Sequence, residues 1–105
     1  MAGFLQIIEY QTSRIEEVRA LGREFREQMA AQAQEGPKPL GGTVTADRDR
    51  PGYFMSVVEF ESPEAASEAS SRPETQEFFG RLSQLMDGPP RFYNLEVLDA
   101  WRMGA

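Results

Sequence analysis

Three strand-like segments of this chain carry apolar side chains at both odd and even positions, and this pattern limits the folds available to it. The segments are residues 4–10, 53–60 and 92–101. Successive side chains of a strand point to opposite faces of the sheet. A sheet with one face in water alternates apolar and polar residues along each strand. We therefore expect a sheet in which both faces are covered.

Helical periodicity follows the first strand. Thr12 or Ser13 offers an N-cap, and Ser13 and Glu16 have the spacing of a capping box, which predicts a helix start near residue 13. The helix is expected to reach about Ala33, because apolar residues then recur at steps of three and four: Ile15, Val18, Leu21, Gly22, Phe25 and Met29. Prolines and glycines in residues 36–42 predict a loop after it.

The middle of the chain has the pattern of a β-hairpin. Residues 42–47 form a weak strand of small alternating residues, and residues 49–52 are a turn signal of Asp, Arg, Pro and Gly. The segment that follows, residues 53–60, is the strongest strand in the sequence. We expect these two strands to pair with each other.

A crossover in two helical pieces is predicted between the hairpin and the last strand. Ser62 is placed to cap a helix that has Pro63 at its first position, and residues 71–74 repeat this start signal before a second piece. The break is expected near Pro73. The second piece has an apolar side made of Phe78, Phe79, Leu82, Leu85 and Met86. The glycine and prolines at 88–90 stop it before the last strand.

The resulting order βαββαβ predicts a ferredoxin-like α+β fold for residues 1–105 as a single domain. Its four-stranded antiparallel sheet would have helices on one face only. The second apolar face would then be an interaction surface, and a homodimer is the simplest way to cover it. Loops of the same chain folded over this face are the alternative.

Two residue types are missing, which removes several classes of chemistry. The chain contains no cysteine and no histidine. Disulfides, thiolate catalysis and thiolate metal sites are therefore excluded. The commonest general base and the usual haem ligand are absent too. Asp47, Asp49 and Asp99 are too scattered for a metal site, so we expect none.

Charge and hydropathy limit the partners. The formal net charge of −6 at pH 7 disfavours nucleic acid and anionic membrane surfaces, because binding to phosphate needs clustered Lys and Arg. No apolar run approaches the ~20 residues of a membrane span. The first residues lack a basic segment followed by an apolar stretch, so we expect no signal peptide and a cytoplasmic protein.

Several stretches of the chain resemble the dimeric α+β barrel superfamily. They read DRDRPGYF at 47–54, EFESPEAA at 59–66, RPET at 72–75 and PPRFYNLEV at 89–97. The group includes antibiotic-biosynthesis monooxygenases, haem-degrading monooxygenases, stress-responsive barrel proteins and many members without known activity. The resemblance implies a barrel built from the sheets of two copies, with a ligand pocket between each sheet and its helices.

The resemblance also implies a type of chemistry. Cofactor-free oxygenases of this group deprotonate an electron-rich phenolic or anthrone-like substrate, and polar or aromatic pocket residues hold the resulting anion. We therefore expect no cofactor. Haem degradation is disfavoured, because the iron ligand of those members is usually a histidine and this chain has none.

The candidate site residues are polar or aromatic side chains within or beside apolar strands. Those predicted to contact a ligand are Gln6, Tyr10, Tyr53, Asn94 and Trp101, and the catalytic candidates are Asn94, Glu96 and Tyr53. Glu96 or Glu59, if desolvated in its strand, could serve as a base near neutral pH. Trp101 has the opposite parity to Asn94. The two would share a pocket only across a bulge or if Trp101 serves the second copy.

Each candidate also has a purely structural interpretation. The Asn94 amide could pair with backbone groups or water. Both glutamates could lie exposed at a sheet edge or pair with arginine, and Trp101 could be a core or dimer contact.

Two functions therefore remain open. The first is a small-molecule-binding barrel protein, acting as a cofactor-independent monooxygenase on an aromatic or polyketide-like substrate. The second is a non-catalytic dimerisation or ligand-binding accessory protein. The first requires a cavity of about 300 Å³ or more between sheet and helices.

Overall fold

A computed structural model describes residues 3–31 and 39–104 and confirms the predicted order of elements. The elements are β1 (Phe4–Gln11), α1 (Ile15–Ala31), β2 (Gly41–Ala46), β3 (Tyr53–Phe60), α2 (Pro63–Ser70), α3 (Pro73–Ser83) and β4 (Arg91–Glu96). The end of the predicted first helix and residues 36–38 of the loop predicted at 36–42 lie outside the described residues, and Gly41 and Gly42 belong to β2.

The strands form one antiparallel four-stranded sheet in the order β2-β3-β1-β4. Its register aligns Gln6 with Val58 on one side and with Asn94 on the other. The helices cover the face that carries Phe4, Gln6, Ile8 and Tyr10 in β1 together with their cross-strand neighbours. The opposite face, here called the open face, carries Leu5, Ile7, Glu9, Thr43, Thr45, Tyr53, Met55, Val57, Glu59, Arg91, Tyr93 and Leu95.

The core lies between the helix-covered face and the helices, in two clusters. The larger one joins Ile8 and Tyr10 to Val18 and Leu21 of α1 and Leu82 of α3. The smaller one packs the ends of β1 and β3 against two alanines of α2: Phe4, Phe60, Ala66 and Ala69. Burying one large aliphatic or aromatic side chain contributes roughly 1.5–3 kcal/mol. These side chains therefore fix which face of the sheet the helices occupy.

The start of α1 differs from the predicted capping box. The Thr12 hydroxyl accepts a hydrogen bond from the Arg14 N–H at 2.9 Å and donates one to the Leu85 carbonyl at 2.5 Å. Glu16 pairs with Arg19 at 3.2 Å instead of reaching back to Ser13. Thr12 is buried and Ser13 is exposed, so the Thr12 side chain ties this turn to the segment after α3.

The crossover breaks where the sequence predicts. The Ser62 hydroxyl caps α2 by accepting the Ala65 N–H at 3.0 Å. The start of α3 differs from that of α2, because Arg72 occupies its N-cap position and makes no side-chain capping hydrogen bond. Ser71 instead donates its hydroxyl to the Glu68 carbonyl at the end of α2.

The last strand is shorter than predicted. β4 ends at Glu96, opposite Phe4, where β1 begins and offers no further partners. One more backbone bond, from the Val97 N–H to the Gly3 carbonyl at 2.9 Å, follows it. Trp101 therefore lies beyond the sheet with 78% of its surface exposed. Among the described residues, no helix is both long and apolar enough to cross a membrane.

Candidate functional site

The helix-covered face contains a pair of hydrogen-bonded amides. Gln6 in β1 and Asn94 in β4 are cross-strand neighbours, and Gln6 Nε2 donates to Asn94 Oδ1 at 3.1 Å. Asn94 Nδ2 has no hydrogen-bond partner among the described residues, so its two N–H groups can bind another acceptor. Two of the predicted ligand contacts are thus brought together.

A second polar contact lies deeper on the same face. The Tyr10 hydroxyl is 3.3 Å from the Ser56 hydroxyl, and Tyr10 is only 3% exposed. Its ring stacks on Phe54 with 5.9 Å between the ring centroids. Tyr10 is therefore a core residue whose hydroxyl has a polar partner.

Although one side of β4 belongs to the helix-covered face, the helices leave its side chains there exposed to solvent. Phe92 is 47% exposed although its ring meets the edge of Phe79 at 6.0 Å. Asn94 and Glu96 follow on the same side and are exposed. We call this group, with Gln6, the amide shelf: Gln6, Phe92, Asn94 and Glu96.

Two recesses between α1 and the α2–α3 pair are small. One, lined by residues that include Phe25, Phe78 and Arg81, has a cavity volume of about 20 Å³. The other, near Met29 and Thr75, has about 10 Å³. Neither approaches the ~300 Å³ that ligand pockets usually have. The cavity of about 300 Å³ or more that was predicted between sheet and helices is thus not found at these two recesses. A ligand at the amide shelf would lie on an open surface, because Phe92, Asn94 and Glu96 are exposed.

A second cluster, which the sequence interpretation did not single out, lies on the open face. Tyr93 donates its hydroxyl to Glu9 Oε1 at 2.8 Å, and Arg50 Nη1 lies 3.3 Å from Glu9 Oε2. Arg50 Nε also contacts Asp47 Oδ2 at 2.8 Å. The Glu9 side chain is 17% exposed although no helix covers it.

Two arginines lie against tyrosine rings in this cluster. The Arg50 guanidinium carbon is 4.4 Å from the centroid of Tyr53, and that of Arg91 is 5.1 Å from the centroid of Tyr93. Such contacts contribute about 0.5–1 kcal/mol at exposed sites. Two acids and two arginines balance within the cluster, so its formal charges sum to zero.

The hydrogen bonds of the cluster shift the pKa values of Glu9, Asp47 and Tyr93. The Tyr93 hydroxyl, helped by Arg50 and Arg91, lowers the pKa of Glu9, although desolvation opposes this. The same hydrogen bond, with desolvation, raises the pKa of Tyr93. The bond to Arg50 lowers the pKa of Asp47. Both acids are thus held as carboxylates near neutral pH, which makes them poor proton acceptors.

Of the remaining candidates, Tyr53 and Trp101 do not join the amide shelf. Tyr53 lies on the open face, on the other side of the sheet from Asn94. Trp101 lies outside the strands. Glu59 and Glu96 are both exposed, so the desolvation on which their proposed role as a base depended is missing. Glu96 nevertheless shares its face with Asn94, as its parity predicts.

Glu9 could have been found from the sequence. It is an acid between Ile8 and Tyr10 in an apolar strand, the feature that selected Glu59 and Glu96. Its partners Tyr93 and Arg50 are distant in sequence and become neighbours only through strand pairing. For metals, the part of the chain that the structure describes holds no group of three or more acids that could bind an ion.

The fold occurs in several solved structures. A conserved protein from Methanosarcina mazei Go1 is 13% identical, with a TM-score of 0.74 over 90% of this chain and 92% of that one. A candidate antibiotic biosynthesis monooxygenase from Bordetella bronchiseptica is 14% identical, with a TM-score of 0.73 over 90% and 96%. A point variant of SnoaB, a cofactor-independent oxygenase from Streptomyces nogalater, is 12% identical, with a TM-score of 0.70 over 98% of both chains.

These similarities establish the fold: the chain has the ferredoxin-like α+β fold of the antibiotic biosynthesis monooxygenase-like proteins. No model of a protein family matches the sequence, and no curated protein matches it.

Proposed function

We propose that the protein is a homodimeric α+β barrel that binds a small aromatic molecule at the amide shelf and oxidises it without a cofactor. The observation that carries this proposal is the Gln6–Asn94 pair, set on the helix-covered face of a fold shared with a cofactor-independent oxygenase. The dimer part depends on the open face, where Leu5, Ile7 and Val57 have no helix above them.

The amide shelf suits an anionic aromatic substrate. A phenol or anthrone that has lost a proton carries its charge on an oxygen, and such an anion can pass an electron directly to O₂. The unpaired N–H groups of Asn94 can donate to that oxygen, and fixed donors of this type stabilise developing oxyanions. Phe92, edge-on to Phe79, offers an aromatic surface beside them.

Glu96 is the acidic side chain of the amide shelf that could accept the proton of the substrate. It follows Asn94 by two residues, so the two side chains lie on the same face of β4. Its exposed carboxylate would accept the proton of a substrate whose own proton is acidic. Tyr53 and Trp101, on other surfaces, have no place in this mechanism within one chain.

Oxygen uptake with anthrone as the probe tests the proposal. We expect uptake with the wild-type protein and at least a tenfold loss in Asn94→Ala, since one oxyanion donor contributes about 10²–10³-fold to a rate. Gln76→Ala, at an exposed position of α3, is the matched control and should keep the wild-type rate. Equal rates in both variants would contradict a role for the shelf.

A non-catalytic dimeric module is the second candidate. It is favoured by the small recesses between the helices, about 20 Å³ and about 10 Å³. This candidate predicts a dimer that neither consumes oxygen with anthrone nor binds it. Calorimetric titration with anthrone separates the two: saturable heat that Asn94→Ala removes supports the shelf, and its absence supports the module.

A further inference from the structure

Two charged side chains of the open face have no ion-pair partner in their own chain. In the four strands this face carries Glu9, Glu59 and Arg91 as its charged residues. Glu9 is held by Tyr93 and Arg50. Within residues 3–31 and 39–104, Glu59 and Arg91 form no ion pair, and both are exposed. If a second copy covers the face, a charge without a partner would be costly to bury.

Glu59 and Arg91 lie at opposite corners of the open face, at equal distances from its centre. Ile7 is the middle one of the three open-face residues of β1. Glu59 is paired with Leu5 on one side of β1, and Arg91 with Glu9 on the other side. At the usual strand dimensions each lies roughly 8 Å from Ile7, in opposite directions. The two charges are thus about 16 Å apart, too far to pair within one chain.

We propose that Glu59 of one copy pairs with Arg91 of the second copy, and that these two reciprocal ion pairs set the orientation of the two sheets. The inference deepens the homodimer of the proposed function and rests on it. A two-fold axis between the sheets makes both pairs at once if it passes over Ile7, perpendicular to the line from Glu59 to Arg91. The strands of the two sheets then cross steeply, as in orthogonal sheet packing.

The side chain of Arg91 is already placed for this contact. Its guanidinium carbon lies 5.1 Å from the centroid of the Tyr93 ring, and Tyr93 is the cross-strand neighbour of Ile7. The cation is therefore held over the open face. Facing sheets pack roughly 10 Å apart, a gap that an arginine and a glutamate side chain can bridge together. A side chain held in place beforehand loses less rotamer freedom on association.

Other two-fold arrangements over Ile7 place these charges less favourably. An axis along the line from Glu59 to Arg91 would set each charge against the same charge of the partner, and such contacts cost energy. An axis along β1, or across it, would set the charges against Leu95 and Met55, which occupy the other two corners. Each charge would then be buried without a partner. Electrostatics therefore favours the proposed arrangement.

Charge reversal tests the contact, with the dissociation constant of the dimer, measured by sedimentation, as the readout. Glu59→Arg and Arg91→Glu each bring like charges together at both contacts, so each alone should weaken the dimer by about tenfold or more. The double variant restores opposite charges and should return the dissociation constant towards the wild-type value. Glu61→Arg and Arg23→Glu, at exposed positions outside the sheet, are the matched controls and should change it little.

Mixing the two single variants makes the test specific to a contact between copies. A chain with Glu59→Arg is positive at both positions, and a chain with Arg91→Glu is negative at both. Each variant repels its own copies and is complementary to the other variant. The equimolar mixture should therefore form a heterodimer more tightly than either variant dimerises alone. Native mass spectrometry identifies it, because the two chains differ in mass.

Three results would overturn the inference while a dimeric wild type leaves the homodimer intact. They are single variants that dimerise as tightly as their controls, a double variant no tighter than the single ones, and a mixture that forms no heterodimer. A monomeric wild type would reject the homodimer itself, and this contact with it. Oxygen uptake with anthrone reports on the amide shelf, on the other face of the sheet, so its loss or retention is read separately.

Discussion

The Tyr93 hydroxyl donates a 2.8 Å hydrogen bond to the Glu9 carboxylate across the β1–β4 pair, on the face of the sheet that no helix covers. Arg50 reaches the same carboxylate from the β2–β3 hairpin. Three parts of the chain are thus joined by polar contacts on the open face, near the end of β1. A fully paired polar cluster in such a place can specify how two surfaces align.

The first prediction concerns this hydrogen bond. Tyr93→Phe keeps the ring and removes the donor, so the pKa of Glu9 should rise towards its ordinary value. Carbon-detected NMR titration of the Glu9 carboxyl measures this in both proteins. Tyr10→Phe, whose hydroxyl contacts Ser56 on the other face, is the control. An unchanged Glu9 titration in Tyr93→Phe would contradict the contact.

The same pair predicts how stability depends on pH. The pKa of Glu9 is lowered in the folded state from an ordinary value of 4.5. Its contribution is therefore present above that value and is lost as the pH falls through the folded pKa. Urea unfolding between pH 3 and about 6 should show a steeper loss for the wild type than for Glu9→Gln. Parallel curves would mean that the carboxylate is not held by its partners.

Adjacent glycines in β2 provide a second prediction. A Cβ at Gly42 would lie 2.8 Å from the Val57 carbonyl oxygen, whereas nothing lies within 4 Å of one at Gly41. Gly42→Ala should therefore destabilise the fold by about 1–3 kcal/mol, as overpacking does. Gly41→Ala should be nearly neutral. Urea unfolding at equal protein concentration compares them, and equal midpoints would contradict the close approach of β2 and β3.

The third prediction tests the core. Leu82 of α3 is 4% exposed within the larger cluster. Leu82→Ala should cost about 2–5 kcal/mol, because it removes buried methyl groups and leaves a cavity. Gln76→Ala, on the exposed side of the same helix, should stay within about 0.5 kcal/mol of the wild type. A loss below about 1 kcal/mol in Leu82→Ala would show that α3 is not packed on the sheet as described.

Capping of α2 gives the fourth prediction. Ser62→Ala removes the hydroxyl that accepts the Ala65 N–H, which should cost about 1 kcal/mol. Ser67→Ala, exposed within the same helix, is the control and should be neutral or slightly stabilising, because alanine favours helices. The two unfolding midpoints should therefore move in different directions or by clearly different amounts.

The fold was predictable from local signals. The strand Tyr53–Phe60 was predicted with its observed bounds, and the break near Pro73 separates α2 from α3 as expected. The alternation of odd and even residues also predicted which side chains of β1 share a face. These features depend on neighbours in sequence, on proline geometry and on the two-residue period of a strand.

Features that depend on distant residues were harder to predict. The extent of β4 is limited by the start of β1 near Phe4, which the alternation of residues 92–101 does not reveal. Thr12 and Ser13 were both candidate N-caps of α1, and the preference for Thr12 depends on its hydroxyl also reaching Leu85. Within the candidate site, the contact between Gln6 and Asn94 can be predicted only once the register of β1 and β4 is known.

The mass of the protein in solution, measured by light scattering across a range of concentrations, tests most directly whether a second copy covers the open face. We predict a mass of about twice 11.8 kDa for the wild type. We expect a shift to monomer in Val57→Lys, which places a charge at the centre of the open face opposite Ile7. A wild-type mass of 11.8 kDa at every concentration would contradict the claim that a second copy covers this face.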